Sequence, residues 1–184
     1  MLKGTTRART WRAIYRLLDR VSPVDYDCGR LCGSICCGRI EDDMGIYLLP
    51  GEEKIHSRKE TWLSWSEERA EDYEFPDSWK GKVYYVKCME PPHCPREQRP
   101  LQCRTFPLLP HLTEDGELIL LYNDMDLPYR CPLIEEEIPL EERFVQATQT
   151  VWEHLIRDPL IYDLVWMDSR AREEAAMELA EMLI

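Results

Sequence analysis

The sequence predicts an α+β fold in which a small cysteine-rich core with a short β-hairpin or sheet is flanked by N-terminal and C-terminal helices. Three observations carry that expectation. Residues 28–37 read CGRLCGSICC, four cysteines and two glycines in ten positions. Apolar residues at helical spacing mark both ends of the chain, and alternating β-prone runs broken by Pro and Gly fill the middle. At 184 residues the chain is expected to form one domain, residues 1–184, burying roughly 70% of its extended surface.

Residues 5–21 read as the first helix. Trp11, Ile14, Tyr15 and Leu18 fall at i, i+3, i+4 and i+7, with arginines on the other faces. Such a helix either lies on a membrane or grips an acidic partner, or packs on the core with its arginines facing an acidic body. The large negative excess favours the packed reading, and Ser22-Pro23 ends the helix.

The core is expected over residues 25–135. Cys28, Cys32 and Cys36 are spaced i, i+4, i+8, so a continuous helix would line all three on one stripe. Cys37 would point elsewhere, so either the helix breaks or Cys37 serves a different site; Gly29, Gly33 and Gly38 weaken a regular helix. Residues 44–49 read as a short strand stopped by Pro50-Gly51. Residues 51–80 read as one or two short helices and a loop, with Trp62, Trp65, Tyr73, Phe75 and Trp79 as aromatic core. Residues 82–87 read as a strand delivering Cys88. Prolines argue against regular structure over residues 88–104. Residues 106–112 and 117–122 form a hairpin turned at Glu114-Asp115-Gly116, and Cys131-Pro132 returns a last thiol.

Residues 140–184 are expected to be helical. Phe144, Val145, Thr148, Val151, Trp152, Leu155 and Ile156 trace one apolar face, which makes the segment scaffold. Asp158-Pro159 marks a boundary with Pro early in a helix. A short helix over residues 160–167 is then followed by a last one, capped by Asp168-Ser169 and running to Leu183. No internal repeat and no flexible linker is visible.

Eight cysteines raise a chemical question. Clustered thiols are reactive, and their thiolates repel one another; a bound cation deprotonates them and balances their charge. The basic N-terminal stretch has no continuous apolar core, so no secretory signal is expected and a reducing cytoplasm follows. There, cysteine clusters point to metal more than to disulfides. Cys28, Cys32, Cys36, Cys37, Cys88, Cys94, Cys103 and Cys131 are the candidate ligands. The geometry expected is convergence of Cys94, Cys103 and Cys131 on residues 28–37, with Cys88 the one to stray; one site and two sites both remain open.

Other chemistry finds less support. Lys and Arg number 23 and Asp and Glu 35, a net charge of −12, which argues against nucleic-acid binding. No run reaches the length of a membrane span. Position 35 is Ile35, so the C-x3-C-x2-C spacing of radical S-adenosylmethionine enzymes is missing. The histidines, His56, His93, His111 and His154, make no H-E-x-x-H, and no glycine pattern cradles a nucleotide. His93, beside Cys94, reads as a solvated loop residue before a ligand or base.

The first cysteine block, Cys88, Cys94 and the run Arg99-Pro100-Leu101-Gln102-Cys103-Arg104-Thr105-Phe106-Pro107 together resemble the YkgJ-type cysteine-cluster family. The resemblance covers residues 25–135, and all eight cysteines find a counterpart. This chain departs in the first block, where the family's common form is C-x2-C-x2-C-C. The resemblance implies a zinc- or iron-chelating domain, in a family that includes a flagellin lysine N-methylase. Arg99 and Arg104 could offset cluster charge or donate to sulfur, or pair with carboxylates. The leading expectation is an iron–sulfur cluster, four-iron four-sulfur (4Fe-4S) in kind, serving electron transfer. The alternatives are a structural or storage zinc module and a protein lysine N-methylase. Whether the chain is an enzyme, and which protein it meets, stays open.

Overall fold

The computed structural model describes residues 3–37, 45–89, 94–123 and 127–182, with the Cys37 side chain outside that set. His93, Met44 and Leu183, each named in a sequence expectation, also lie outside it. The architecture is the α+β arrangement read from the sequence, with helices at both ends and small antiparallel sheets between.

Helix α1 spans Ala8–Leu18, shorter at both ends than the expected 5–21. Its apolar residues Trp11, Ile14, Tyr15 and Leu18 are all buried, as the spacing required. The arginines behave differently from the favoured reading. Arg9, Arg12 and Arg16 are exposed and make no ion pair with another described residue. They face solvent, not the acidic body.

The first sheet has three antiparallel strands in the order β1–β3–β2: β1 at Ile46–Tyr47, β2 at Leu63–Arg69 and β3 at Lys82–Cys88. Strand β3 is central, with Val86 opposite both Ile46 and Trp65, and Cys88 opposite Leu63. Strand β2 corrects the expectation of helices and loop over residues 51–80. Its serines and glutamates hid the alternation, yet Leu63 is buried and Trp65 packs against Tyr84. Arg58 lies over the rings of Trp65 and Tyr84 and pairs with Glu67. The aromatic-core expectation holds for Trp62 and Trp79, with Phe75 stacked on Trp79 at 4.7 Å, while Tyr73 is exposed.

The second sheet is the expected hairpin, β4 at Leu108–Leu112 and β5 at Leu118–Tyr122, with Leu112 opposite Leu118. Its turn closes through Thr113 and Gly116, whose φ of 79° is the left-handed conformation glycine permits. Between the sheets, Leu101–Thr105 is a one-turn helix, α3, where the prolines had argued against regular structure. Pro100 directly precedes the first helical position, so it obstructs nothing. A four-residue helix, α4, spans Pro132–Glu135.

Helices α5 (Glu142–Leu155) and α6 (Pro159–Met182) complete the main core. Trp152 and Leu155 are buried and Ile156 is half-buried, so the segment is scaffold. Pro159 opens α6, and the Asp158 carboxyl accepts from the Leu160 and Thr6 amides at 3.2 and 2.7 Å, tying the helix start to the N-terminal strand of chain. The expected break at Asp168-Ser169 does not occur. Ser169 donates to the Val165 carbonyl at 2.6 Å and accepts from the Leu112 amide at 2.9 Å. Arg170 and Arg172 donate to the carbonyls of Leu112 and Pro110. These mid-helix polar residues thus satisfy the backbone of strand β4, which would otherwise be an open edge.

Half-buried Asp168 sits beside Tyr47 and Arg172 on α6. Burial pushes its carboxyl up to about 6, with Arg172 pulling the other way. The folded state therefore binds more protons than the unfolded chain between about pH 4 and 6, and stability falls as pH rises through that window. Asp168→Asn removes the penalty. It is expected to raise urea-unfolding stability at pH 7.5 by about 1–2 kcal/mol, with the gain vanishing near pH 4; a gain independent of pH would contradict this origin.

Candidate metal centre

The first cysteine block folds as two short turns. The Asp27 carboxyl accepts from the Gly29 amide at 3.1 Å and starts helix α2, Gly29–Cys32. Gly33 and Ser34 then adopt positive φ, 66° and 60°, ending it, and a 3-10 turn covers Ile35–Cys37. Cys28 and Cys32 keep the shared stripe, one helical turn apart. The helix breaks at Gly33 and Ser34, before Cys36, as one of the two alternatives for this block expected.

Cys131 immediately precedes helix α4 and is buried. It shares a small apolar cluster with Val24 and Leu133, against which Cys28 and Phe106 pack. Burial raises the Cys28 thiol above its ordinary range, Asp27, Cys131 and Cys32 push the same way, and Arg96 opposes them. Burial also raises Cys131, against the pull of the Leu133 and Ile134 amides, with Cys32 and Glu135 adding to the rise. Cys28 and Cys131 thus meet at one cluster, and Cys32 lies near enough to raise both thiols.

The other cysteines are arranged differently. Cys88 ends strand β3, and both it and Cys94 pack against the second apolar cluster, formed by Leu48, Trp62, Leu63, Tyr84 and Val86. The Arg99 side chain donates from Nε to the Cys94 Sγ at 3.1 Å. Cys103 is exposed on α3 and lies near enough to Tyr15 to raise its phenol. Arg104 takes the carboxylate reading instead. It bonds the Asp19 carboxylate at 2.8 Å and the carbonyls of Arg99 and Tyr15, and its guanidinium stacks 4.2 Å above the Tyr15 ring.

Of the thiols expected to gather on residues 28–37, Cys131 does so, while Cys94 joins Cys88 in a separate cluster and Cys103 stands beside α1. Among the described residues no group of three or more His, Cys, Asp or Glu is set to hold a metal ion. The seven described cysteine side chains are free of disulfides. The donor chemistry nevertheless fits a thiophilic metal. Cys28, Cys32 and Cys131 are soft donors whose mutual repulsion a cation relieves.

What positions the cysteine-bearing run was not legible in advance. Glu52, 1% exposed, follows Gly51 in a turn whose φ of 91° suits glycine; a Cβ at Gly51 would sit 2.7 Å from the Thr6 carbonyl oxygen. The Glu52 carboxyl accepts from the Tyr15 hydroxyl at 2.5 Å and from the Leu49 and Leu101 amides at 3.0 and 2.7 Å. Tyr15, donating to Glu52, is left to accept from His56 Nε2 at 2.9 Å, which assigns the proton of that imidazole to Nε2. Burial, and then Glu52 beside it, hold the Tyr15 phenol well above its ordinary range. Leu101 is the first residue of α3, so this buried carboxyl anchors the helix carrying Cys103 and Arg104. Nothing in the sequence sets Glu52 apart among 35 acidic residues.

Comparison with known protein families, with characterised proteins and with solved structures finds no significant match.

Glu52→Gln keeps the volume but turns one of the two oxygens into a donor facing a donor. It is expected to destabilise the protein by about 2 kcal/mol in urea unfolding. A change below about 0.5 kcal/mol would show that the network is not needed to hold α3.

Proposed function

We propose that the chain is a metal-binding protein whose cysteine thiolates hold an iron–sulfur cluster, four-iron four-sulfur in kind, and that it serves electron transfer in a reducing, cytoplasmic setting. Cys28, Cys32 and Cys131 are the ligands this reading rests on, with a fourth drawn from the remainder of the first block. The observation that carries it is that Cys131, distant in sequence, shares one small apolar cluster with Cys28, which lies one helical turn from Cys32. Unloaded, these thiols, one buried and two half-buried, have no packing advantage over Val or Ala, and each pushes the others' ionisation up. When bound, the metal supplies charge compensation and, as iron–sulfur, a one-electron couple tuned by burial and by donors to sulfur. Of the chain's own residues, Val24 and Leu133 form the apolar cluster with Cys131, and Cys28 packs against it. The YkgJ-type resemblance, with its zinc- or iron-chelating implication, points the same way.

Anaerobically purified protein is expected to be brown and to contain about four iron and four acid-labile sulfides per chain. Cys131→Ser is expected to lose most of the metal while keeping the helical circular-dichroism signal. About one colourless zinc per chain without sulfide would replace this reading with the zinc module. Less than about one equivalent of either metal in fresh protein would end the metal reading altogether.

A further inference from the structure

Among the described residues the last turns of α6 have no partner of their own. Residues 174–182 are exposed without interruption, with Leu179 60% and Met182 84% exposed. These turns propagate from the packed first half of α6, and an exposed apolar row along them offers a face for packing. Ala175, Leu179 and Met182 form one apolar row, and Glu174, Glu178 and Glu181 form an acidic row along one flank of it. None of the three glutamates makes an ion pair with another described residue.

Helix α1 presents the counterpart. Arg9, Arg12 and Arg16 are exposed and unpaired among the described residues, and they flank the exposed Ala13 and Leu17 on the outer face. The arginines are spaced i, i+3, i+7 and the glutamates i, i+4, i+7. Read in opposite directions these spacings coincide, setting Arg9 against Glu181, Arg12 against Glu178 and Arg16 against Glu174 over about 10.5 Å of helix. The charged row also lies on the same side of the apolar row in both helices, and antiparallel packing is the orientation that brings like flanks together. The two faces therefore match in register, in charge and in apolar centre.

We propose that the occupant of the α6 face is the α1 face of a second copy of this chain, and that the contact is made twice, reciprocally, in a two-fold dimer. The match cannot be satisfied within one chain as folded, because both faces are solvent-exposed in it. Two-fold closure buries both pairs of faces and leaves no free end for further growth. This inference does not depend on the identity of any bound metal.

Sedimentation velocity on the full chain, purified anaerobically, tests it. The wild type is expected to be dimeric at about 50 μM in low salt, with the dissociation constant rising roughly tenfold at about 0.5 M NaCl. Leu179→Asp, Arg12→Glu with Arg16→Glu, and Glu174→Arg with Glu178→Arg are each expected to give monomers with unchanged near-ultraviolet circular dichroism. Combining the four charge reversals in one chain is expected to restore the dimer. A wild type that stays monomeric to about 100 μM overturns the proposal. So does a dimer indifferent to Leu179→Asp, or a combined variant that remains monomeric. Binding of a monomeric wild type to phosphatidylserine vesicles, lost on the arginine reversals and indifferent to Leu179→Asp, would assign α1 to a lipid surface and equally overturn it.

Discussion

One buried carboxyl group, that of Glu52, joins the parts of this protein that sequence keeps apart. Through Tyr15 it holds helix α1, through the Leu49 amide it closes the turn after β1, and through the Leu101 amide it fixes the start of α3. A carboxyl sealed at 1% exposure is tolerable only when its oxygens are fully used, and here three donors converge on them. Gly51 supplies the left-handed turn that sends the chain inward at that point. Arg104 then clasps α3 back onto α1 from the outside, stacking on the same Tyr15 ring. The cysteine-bearing segment is thus fixed by polar anchoring, with its apolar contacts spread over separate small clusters.

That arrangement explains where the sulfurs go. The main core takes Trp11, Leu101, Leu112, Trp152 and Leu155 and, among the described residues, contains no cysteine. The thiols sit instead at its margins, Cys28 and Cys131 against Val24 and Leu133, and Cys88 and Cys94 against the outer face of the three-stranded sheet. Marginal placement suits ligands better than packing residues, because a site there can be loaded after the core has formed.

The sequence revealed periodic elements and concealed those whose reason is tertiary. Helix α1, helix α5, strand β3 and the β4–β5 hairpin were legible because Trp11, Ile14, Tyr15 and Leu18, or the Gly116 turn, follow local rules. Strand β2 was not, since Ser64, Ser66, Glu67 and Glu68 look like a loop until β3 pairs with them. The single long α6 was hidden by Asp168-Ser169, a capping pair in isolation. In the fold, Ser169 serves the edge of β4 instead. At the cysteines, the break at Gly33 and the approach of Cys131 to Cys28 and Cys32 match what spacing and chemistry suggested. The pairing of Cys94 with Cys88 and the position of Cys103 were misjudged, because both are set by the sheet and by the Glu52 anchor. Arg99 and Arg104, equivalent in sequence, part company because only Arg104 can reach Asp19 and the Tyr15 ring.

The central claim is that Cys28, Cys32 and Cys131 share one thiophilic metal. X-ray absorption at the iron and zinc edges of anaerobically purified protein measures it most directly. The account predicts a first shell made of sulfur at roughly 2.3 Å, with an iron–iron vector if the metal is iron–sulfur and a lower sulfur count in Cys131→Ser. A first shell of oxygen and nitrogen, or one that Cys131→Ser leaves unchanged, would contradict it.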